Sequence, residues 1–488
     1  MTATVAGVPK WSNWAGDQHC TPAAIERPSS IAEIAAALER ARAHDQRVRV
    51  AGAGHSFSDI ALTDGRLLRL DRMSRLLEVD RASGLVRVQG GITIHALNAR
   101  LAAIGLAFEN LGDIDVQSIA GAISTATHGT GARLRNIPSQ LAALTLVLED
   151  GSTLRCSEHD DPELLRAARV GLGALGVVAE VTLRCVPAFR LHGLDAPAPL
   201  EQTLERFEEL ALANDHFEFY VFPHTRTALT RTNNRTEEPA RPRGRASAYA
   251  NDVLLTNHAF GLFCRLGRRM PAQIPRINRL LTRLAGAGRR VDRSDRIFVS
   301  PRLVRFTEME YALPRERTVE AVRRVLELVE GGPLEGGSGG RGSRTGGPRP
   351  AGGGWRGGRR APFAVPFPIE VRTVAADDAL LSTAAGRDSG YVAVHMFEGM
   401  AWEPYFRAVE AIMDELGGRP HWGKRHFQSA ATLSARYPEW ERFQEVRRRL
   451  DPEGRFANDY TDRVLGPIHP PAGLPPAGSD PAATAAAG

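Results

Sequence analysis

Four side chains in the last third of the chain are of types that do proton and charge chemistry. Glu370 and Arg372 stand in PIEVR (368–372), His395 in YVAVHMF (391–397), and Lys424 closes the run His421, Trp422, Gly423, Lys424. Glu370 and Arg372 are two apart in a strand-like run, so both point to one face. A carboxylate holds and orients hydroxyl groups, and a fixed guanidinium stabilises negative charge that develops beside it. An imidazole titrating near neutrality accepts a proton from a hydroxyl. Lys424 can hydrogen-bond an oxygen or, where burial depresses its pKa, share the base role. Residue type alone also allows bland readings: a surface ion pair for Glu370 and Arg372, and a core position for a lone strand histidine.

Two glycine-rich segments must be placed by the elements before them. VAGAGHSF (50–57) follows the strand-like RVRVAG (47–52). Small residues there let several backbone N–H groups converge on one point, a nest that binds phosphate oxygens without a side-chain cation. QSIAGAISTATHGTG (117–131) is made almost wholly of small, hydroxyl and glycine residues, which suits close approach of backbone to a large ligand, or simply a pair of glycine-rich loops. A literal GxGxxG at Gly171, Gly173 and Gly176 misleads. The dinucleotide turn needs a strand before it and a helix after it. Here a helix pattern precedes and VVAEVTL follows, so these glycines read as a helix-to-strand turn.

The positioning elements divide into two α+β regions. In the first, residues 29–46 read as a helix capped by Ser29 or Ser30, with Ile31, Ile34, Leu38 and Ala41 as its apolar stripe. LLRLDRM (67–73), LVRVQGG (85–91) and VVAEVTLRCV (177–186) read as strands, TIHALNARLAAIGL (93–106) and 161–171 as helices, and 141–156 as a hairpin turning at Asp150-Gly151. From about 187, HFEFYVFPHT (216–225) and 305–314 read as strands, and 317–330 and 403–417 as amphipathic helices. Residues 1–20 read as a polar lead-in. Residues 331–361, rich in Gly and Arg, read as a mobile loop, and the Ala- and Pro-rich end as a disordered tail.

Composition narrows the class. At 488 residues the chain is too long for a single core. No apolar run reaches membrane-spanning length and the N-terminus lacks the long apolar stretch of a secretory signal, so the expectation is a cytoplasmic protein, with peripheral contact with a membrane as its variant. Cys20, Cys156, Cys185 and Cys264 form no CxxC pair, so neither a disulfide framework nor a metal site is expected. The net charge of +6 is matched by six arginines within 341–360, so the folded body needs no basic nucleic-acid face. An RNA-binding role for that RGG-like segment, with its single aromatic Trp355, is the reading from another class.

Together the motifs resemble the FAD-binding domain of the vanillyl-alcohol-oxidase-type flavoproteins and, within them, the aldonolactone oxidases and dehydrogenases, with alditol oxidase a near relative. GHSF (54–57), NLGDI (110–114), SIAGAISTATHGTG (118–131), GALGVV (173–178), PIEVR, His395 and HWGK carry the resemblance, which runs from about Trp11 to Leu465. It implies an α+β fold: a PCMH-type FAD domain over 11–187 and an α+β substrate cap over 188–465. Residues 420–463 would return to the FAD domain, and a tail would occupy 466–488. It implies FAD, bonded through His55, with Val50, Ala51, Gly52, Ala53, Gly54, Ser56, Asp113, Ser118, Gly121, Thr125, Ala126, Thr127, His128 and Val177 about it. Glu370, Arg372, His395 and Lys424 would be the catalytic set.

The activity implied is oxidation of an aldono-1,4-lactone to ascorbate or an analogue, with oxygen, a cytochrome or a quinone as electron acceptor. Oxidation of a xylitol-like polyol is the alternative. Asp113 stands where alditol oxidase has a substrate-contacting serine, which favours the lactone. Gly112 stands where some relatives carry an oxygen-blocking alanine. The 331–361 insertion departs from the family pattern immediately before PFPIEVR.

Overall fold

A computed structural model describes residues 10–241, 257–332 and 362–468. The expected loop at 331–361 and tail at 466–488 fall, but for a few flanking residues, outside these.

The first region holds a three-stranded parallel sheet, with Arg66–Arg69 between Ala24–Glu26 and Val48–Ala51. Beside it lies a five-stranded antiparallel sheet in the order Thr153–Ser157, Leu141–Val147, Val177–Arg184, Leu85–Gln89, Leu76–Asp80. The helix Ile31–Ala43 starts where Ser30 accepts the Glu33 amide, and buries Ile34, Ala37, Leu38 and Ala41. Thr93 caps Ile94–Ala103 in the same way. The strand read over 67–73 stops at Arg69. There Met73 N–H donates to the Leu70 carbonyl at 2.7 Å and closes a 3-10 turn over Leu70–Arg72. Residues 11–20 are not a free lead-in: Trp11–Ser12 pairs with His19–Cys20.

The second region is one eight-stranded sheet. Its order is Gly288–Arg293, Arg190–Pro199, Thr227–Thr236, His216–Val221, Ile369–Val374, Ser389–Phe397, Phe306–Pro314, Arg419–Pro420. The first three of these were not legible as strands, because their prolines, glycines and arginines mask the alternation. They hold by their ladders, ten paired residues between Arg190–Pro199 and Thr227–Thr236.

The period-two alternation divides the central strands between two faces. Phe219, Val371, Val392, Val394, Met309 and Tyr311 pack with the helices Thr318–Glu330 and Glu403–Glu415 in one core. Their neighbours Glu218, Tyr220, Glu370, Arg372, His395, Glu308 and Glu310 take the opposite face. The other large core lies under the five-stranded sheet, and Trp422, Tyr437, Trp440, Phe443 and Tyr460 are buried in it, so the end of the described chain packs against its beginning. No helix among the described residues is long and apolar enough to cross a membrane.

Candidate active site

Two cavities adjoin, and Gln117 lines both. The first, about 270 Å³, is lined by Val50, Ala51, Gly52, Ala53, Gly54, His55 and Ser56, and by Ser118, Gly121 and Thr125 across from them. The loops meet without room to spare: a Cβ on Gly52 would stand 2.3 Å from Ser118 Oγ. Gly54, at φ +75°, turns the chain in the left-handed region that glycine adopts without strain. Ser118 caps the short helix Ile119–Ser124 by accepting the Gly121 amide. A groove of small residues and backbone, closed to any Cβ at its narrowest point, fits a long phosphate-bearing cofactor.

His55 stacks on Trp14, ring centres 4.9 Å apart. Burial, reinforced by the Lys424 cation and opposed by Asp113, pulls its pKa down to about 4, so the ring is neutral at physiological pH. Arg49, wholly buried, ties this wall together: its guanidinium donates to the carbonyls of Ile60 (2.8 Å), Leu172 (2.9 Å) and Gly173 (3.2 Å). Gly173 and Gly176 of the misleading motif do line the cavity, but as the turn between the helix Pro162–Ala168 and the strand Val177–Arg184.

The second cavity, about 480 Å³, gathers Glu370, Arg372, His395 and Lys424 with Asp113, Tyr220, Arg302, Glu308, Glu310, His128 and His421. Sheet register makes the row: Tyr220 pairs with Glu370, Glu370 with Ala393 and Ala393 with Glu310, while His395 pairs with Glu308. Arg372 Nε donates to Glu218 at 2.8 Å, and the same guanidinium pairs with Glu370 and lies 3.5 Å from Asp113. Asp113 also pairs with Arg302. Tyr220 Oη donates to Glu218 at 3.0 Å and reaches Glu370 at 3.4 Å.

These three carboxylates do not titrate alike. Burial opposes ionisation of each, but Arg302 and Arg372 together hold Asp113 low, and Arg372 and Arg231 hold Glu218 low. On Glu370 burial prevails over Arg372, helped by the two neighbouring negative charges, and its pKa rises to about 7. Arg372 is therefore a fully paired cation within a carboxylate cluster.

His395 Nε2 lies 3.5 Å from Glu308 and 3.9 Å from Glu370. Burial lowers its pKa, but Glu308 and then Glu370 more than reverse this, and the net shift is upward. Lys424 pairs with Glu308. Burial likewise acts to lower its pKa, yet Glu308 and Glu310 carry it above the ordinary lysine value, so the condition for Lys424 as a base is not met and it stays an ammonium. His128 Nε2 stands 3.3 Å from Glu310. His421 Nδ1 accepts the Gly423 amide at 3.1 Å, and burial depresses its pKa to about 3.

Some expected cofactor contacts take other places. Asp113, Thr127 and His128 line the second cavity. Ala126 is buried in the core at φ +58°, where the loop passes from Thr125 in one cavity to Thr127 in the other. Val177 faces a core with Val147 and Ala179, and it is Val178 that lines the first cavity, since strand neighbours alternate faces. Trp14, Arg49, Glu218, Tyr220, Arg302, Glu308 and Glu310 were missed. Glu218 and Tyr220, and Glu308 and Glu310, alternate with apolar residues in HFEFYV and FTEMEYALP, a pattern read by default as a wet strand face.

The cofactor groove, the adjoining acid–base cavity and the sheet that walls it define a flavoprotein oxidoreductase. Similarity agrees at the level of fold: a solvent-stable cholesterol oxidase superimposes with a TM-score of 0.75 at 16% identity, covering 94% of this chain and 97% of that one. A family model for an FAD binding domain matches residues 22–157, and the one for D-arabinono-1,4-lactone oxidase matches 181–464. An L-gulono-1,4-lactone dehydrogenase of Mycobacterium tuberculosis is 49% identical over 94% of this chain and 100% of its own length. An L-gulonolactone oxidase of Scyliorhinus torazame is 32% identical over 93% of this chain and 98% of its own. The chain belongs to the D-arabinono-1,4-lactone oxidase family, and its cofactor is FAD.

Proposed function

We propose that the protein oxidises a secondary hydroxyl of an aldono-1,4-lactone of the L-gulono or D-arabinono type, giving ascorbate or an analogue. When bound, FAD supplies the two-electron acceptor. The observation that carries the reading is the placing of Glu370 and His395 3.9 Å apart on the wall of the cavity that shares Gln117 with the cofactor groove. Glu370, with a pKa near neutrality, takes the proton from the substrate hydroxyl, and His395 beside it, kept protonated by Glu308, donates a hydrogen bond. Arg372 holds the Glu370 carboxylate, and Tyr220 reaches the same oxygen. Lys424, kept cationic by Glu308, donates a hydrogen bond to a ring or carbonyl oxygen of the lactone.

His55 is proposed as the point of covalent flavin attachment. It lines the cofactor groove close enough to feel Lys424 and Asp113 of the second cavity, and its neutral ring keeps a nitrogen lone pair free for bond formation. Gly112, which lines the second cavity without a side chain, supports oxygen among the electron acceptors, beside a cytochrome or quinone. We also place the boundary between the FAD domain and the cap near residue 187.

The test is anaerobic mixing of the yellow protein with L-gulono-1,4-lactone, D-arabinono-1,4-lactone and xylitol. Bleaching by a lactone but not by xylitol is the expected result. Bleaching by xylitol alone selects the polyol oxidase, and bleaching by none removes the reading.

A further inference from the structure

The helices Phe260–Arg269 and Ile274–Leu284 form a hairpin at the mouth of the second cavity, where Phe260, Phe263, Leu281 and Leu284 line it. The first helix buries Gly261, Cys264 and Gly267, the second Ile274, Ile277, Asn278 and Thr282. The sides turned away from the body are apolar and basic together. Leu262, Arg265, Leu266 and Arg269 fall on one stripe of the first helix; Arg276, Leu280, Arg283 and Leu284 fall on one stripe of the second. Leu262 is 60% exposed and Leu284 69%. With Leu266, Met270, Leu280 and Leu303 they are six of the nine exposed large apolar residues among the described ones, so the exposure is concentrated here. Residues 257–291 contain no Asp or Glu. Among the described residues none of Arg265, Arg269, Arg276 and Arg283 has a carboxylate partner.

Among the described residues these exposed leucines and the arginines beside them find neither apolar cover nor a carboxylate. At an anionic bilayer both are used: the leucines enter the acyl boundary while the guanidinium groups stay at the phosphates. We propose that this hairpin docks the protein on an anionic phospholipid surface, which sets the mouth of the second cavity against the bilayer. A nucleic acid would engage the arginines and leave the leucines wet. A second copy would bring like charges together. The proposal does not rest on the substrate reading.

The test is co-sedimentation of the full-length holoprotein with vesicles of phosphatidylglycerol and phosphatidylcholine in equal parts, against phosphatidylcholine alone. The expected result is binding to the anionic vesicles only, weakened by salt. Partitioning should drop about fivefold for each of Arg265→Gln and Arg269→Gln, and should also drop in the combined variant Leu262→Ser with Leu280→Ser, while lactone oxidation measured with a soluble dye is unchanged in all three. No binding by the wild type overturns the proposal. So does binding undiminished in the combined variant, which would move the contact elsewhere, for instance to the arginines at 341–360. Sedimentation as a dimer that Leu262→Ser with Leu280→Ser dissolves, without vesicle binding, would assign the face to self-association and overturn it too.

Discussion

The carbonyl of Gly423 accepts the amide N–H of Phe57 at 2.7 Å. With Ser58 Oγ donating to the Trp422 carbonyl at 3.0 Å, it clamps the loop that carries His55 to the loop that carries Lys424. The two motifs farthest apart in the chain thus form one wall between the cavities.

The clamp depends on Trp422, wholly buried, whose indole N–H donates to the Leu381 carbonyl at 2.7 Å. Trp422→Phe leaves that carbonyl unpaired and a gap beside Tyr437. Thermal denaturation should show a loss of about 1–3 kcal/mol, with lower flavin content per chain. Unchanged flavin content would mean the clamp is not needed for cofactor binding.

Acid precipitation reports on His55. Colour should stay with the wild-type pellet and pass to the supernatant in His55→Ala, which keeps noncovalent FAD because the glycine groove is intact. Colour released from the wild type as well would remove the covalent bond and leave the family assignment standing.

Activity should follow the ionisation of Glu370. Its pKa is raised to about 7 chiefly by burial, so the carboxylate able to take a proton forms as pH rises through that value, and kcat/KM should climb across it. Glu370→Gln should abolish this limb and cost on the order of 10²–10⁴-fold in kcat. A limb that persists in the variant would assign the titration to His395.

Glu308 holds two cations, His395 and Lys424. Burial works against its ionisation, but Lys424 and His395 outweigh that and bring its pKa from the ordinary 4.5 to about 2. A lowered carboxylate stabilises the fold above its unfolded value and loses that contribution as pH falls from about 4.5 to about 2. Glu308→Gln should therefore cost about 3–5 kcal/mol at neutral pH, and the gap from wild type in urea denaturation should narrow across that acid window. The pKa of His395, raised by Glu308, should fall in the variant.

Gly52→Ala tests the groove. The new Cβ must displace Ser118 Oγ and so the cap of Ile119–Ser124, a loss of about 1 kcal/mol, together with weaker FAD retention on dilution. Gly52→Ala with Ser118→Gly should recover most of the retention. No recovery would mean that Ser118 is not what the added methyl displaces.

Much of the fold was legible where pattern and burial agree. Ser30 and Thr93 cap the helices expected after them, and the alternation of LVRVQ and VVAEVTL marks paired strands. The cofactor wall was legible because it is local: seven consecutive residues from Val50 to Ser56 line one groove. Arg190–Pro199 was not legible, since a strand of that composition is held only by its partners on either side.

By itself the sequence determined the family and the cofactor, because short motifs carry both, and the resemblance of those motifs singled out Glu370, Arg372, His395 and Lys424 as candidates. Only the tertiary structure decided what charge those residues carry. Glu218, Glu308 and Glu310 come from strands that look wet in isolation, and sheet register brings them beside Arg372, His395 and Lys424. Proton affinity in a buried site depends on burial and on which charges lie within a few ångströms, and strand neighbours distant in sequence set both.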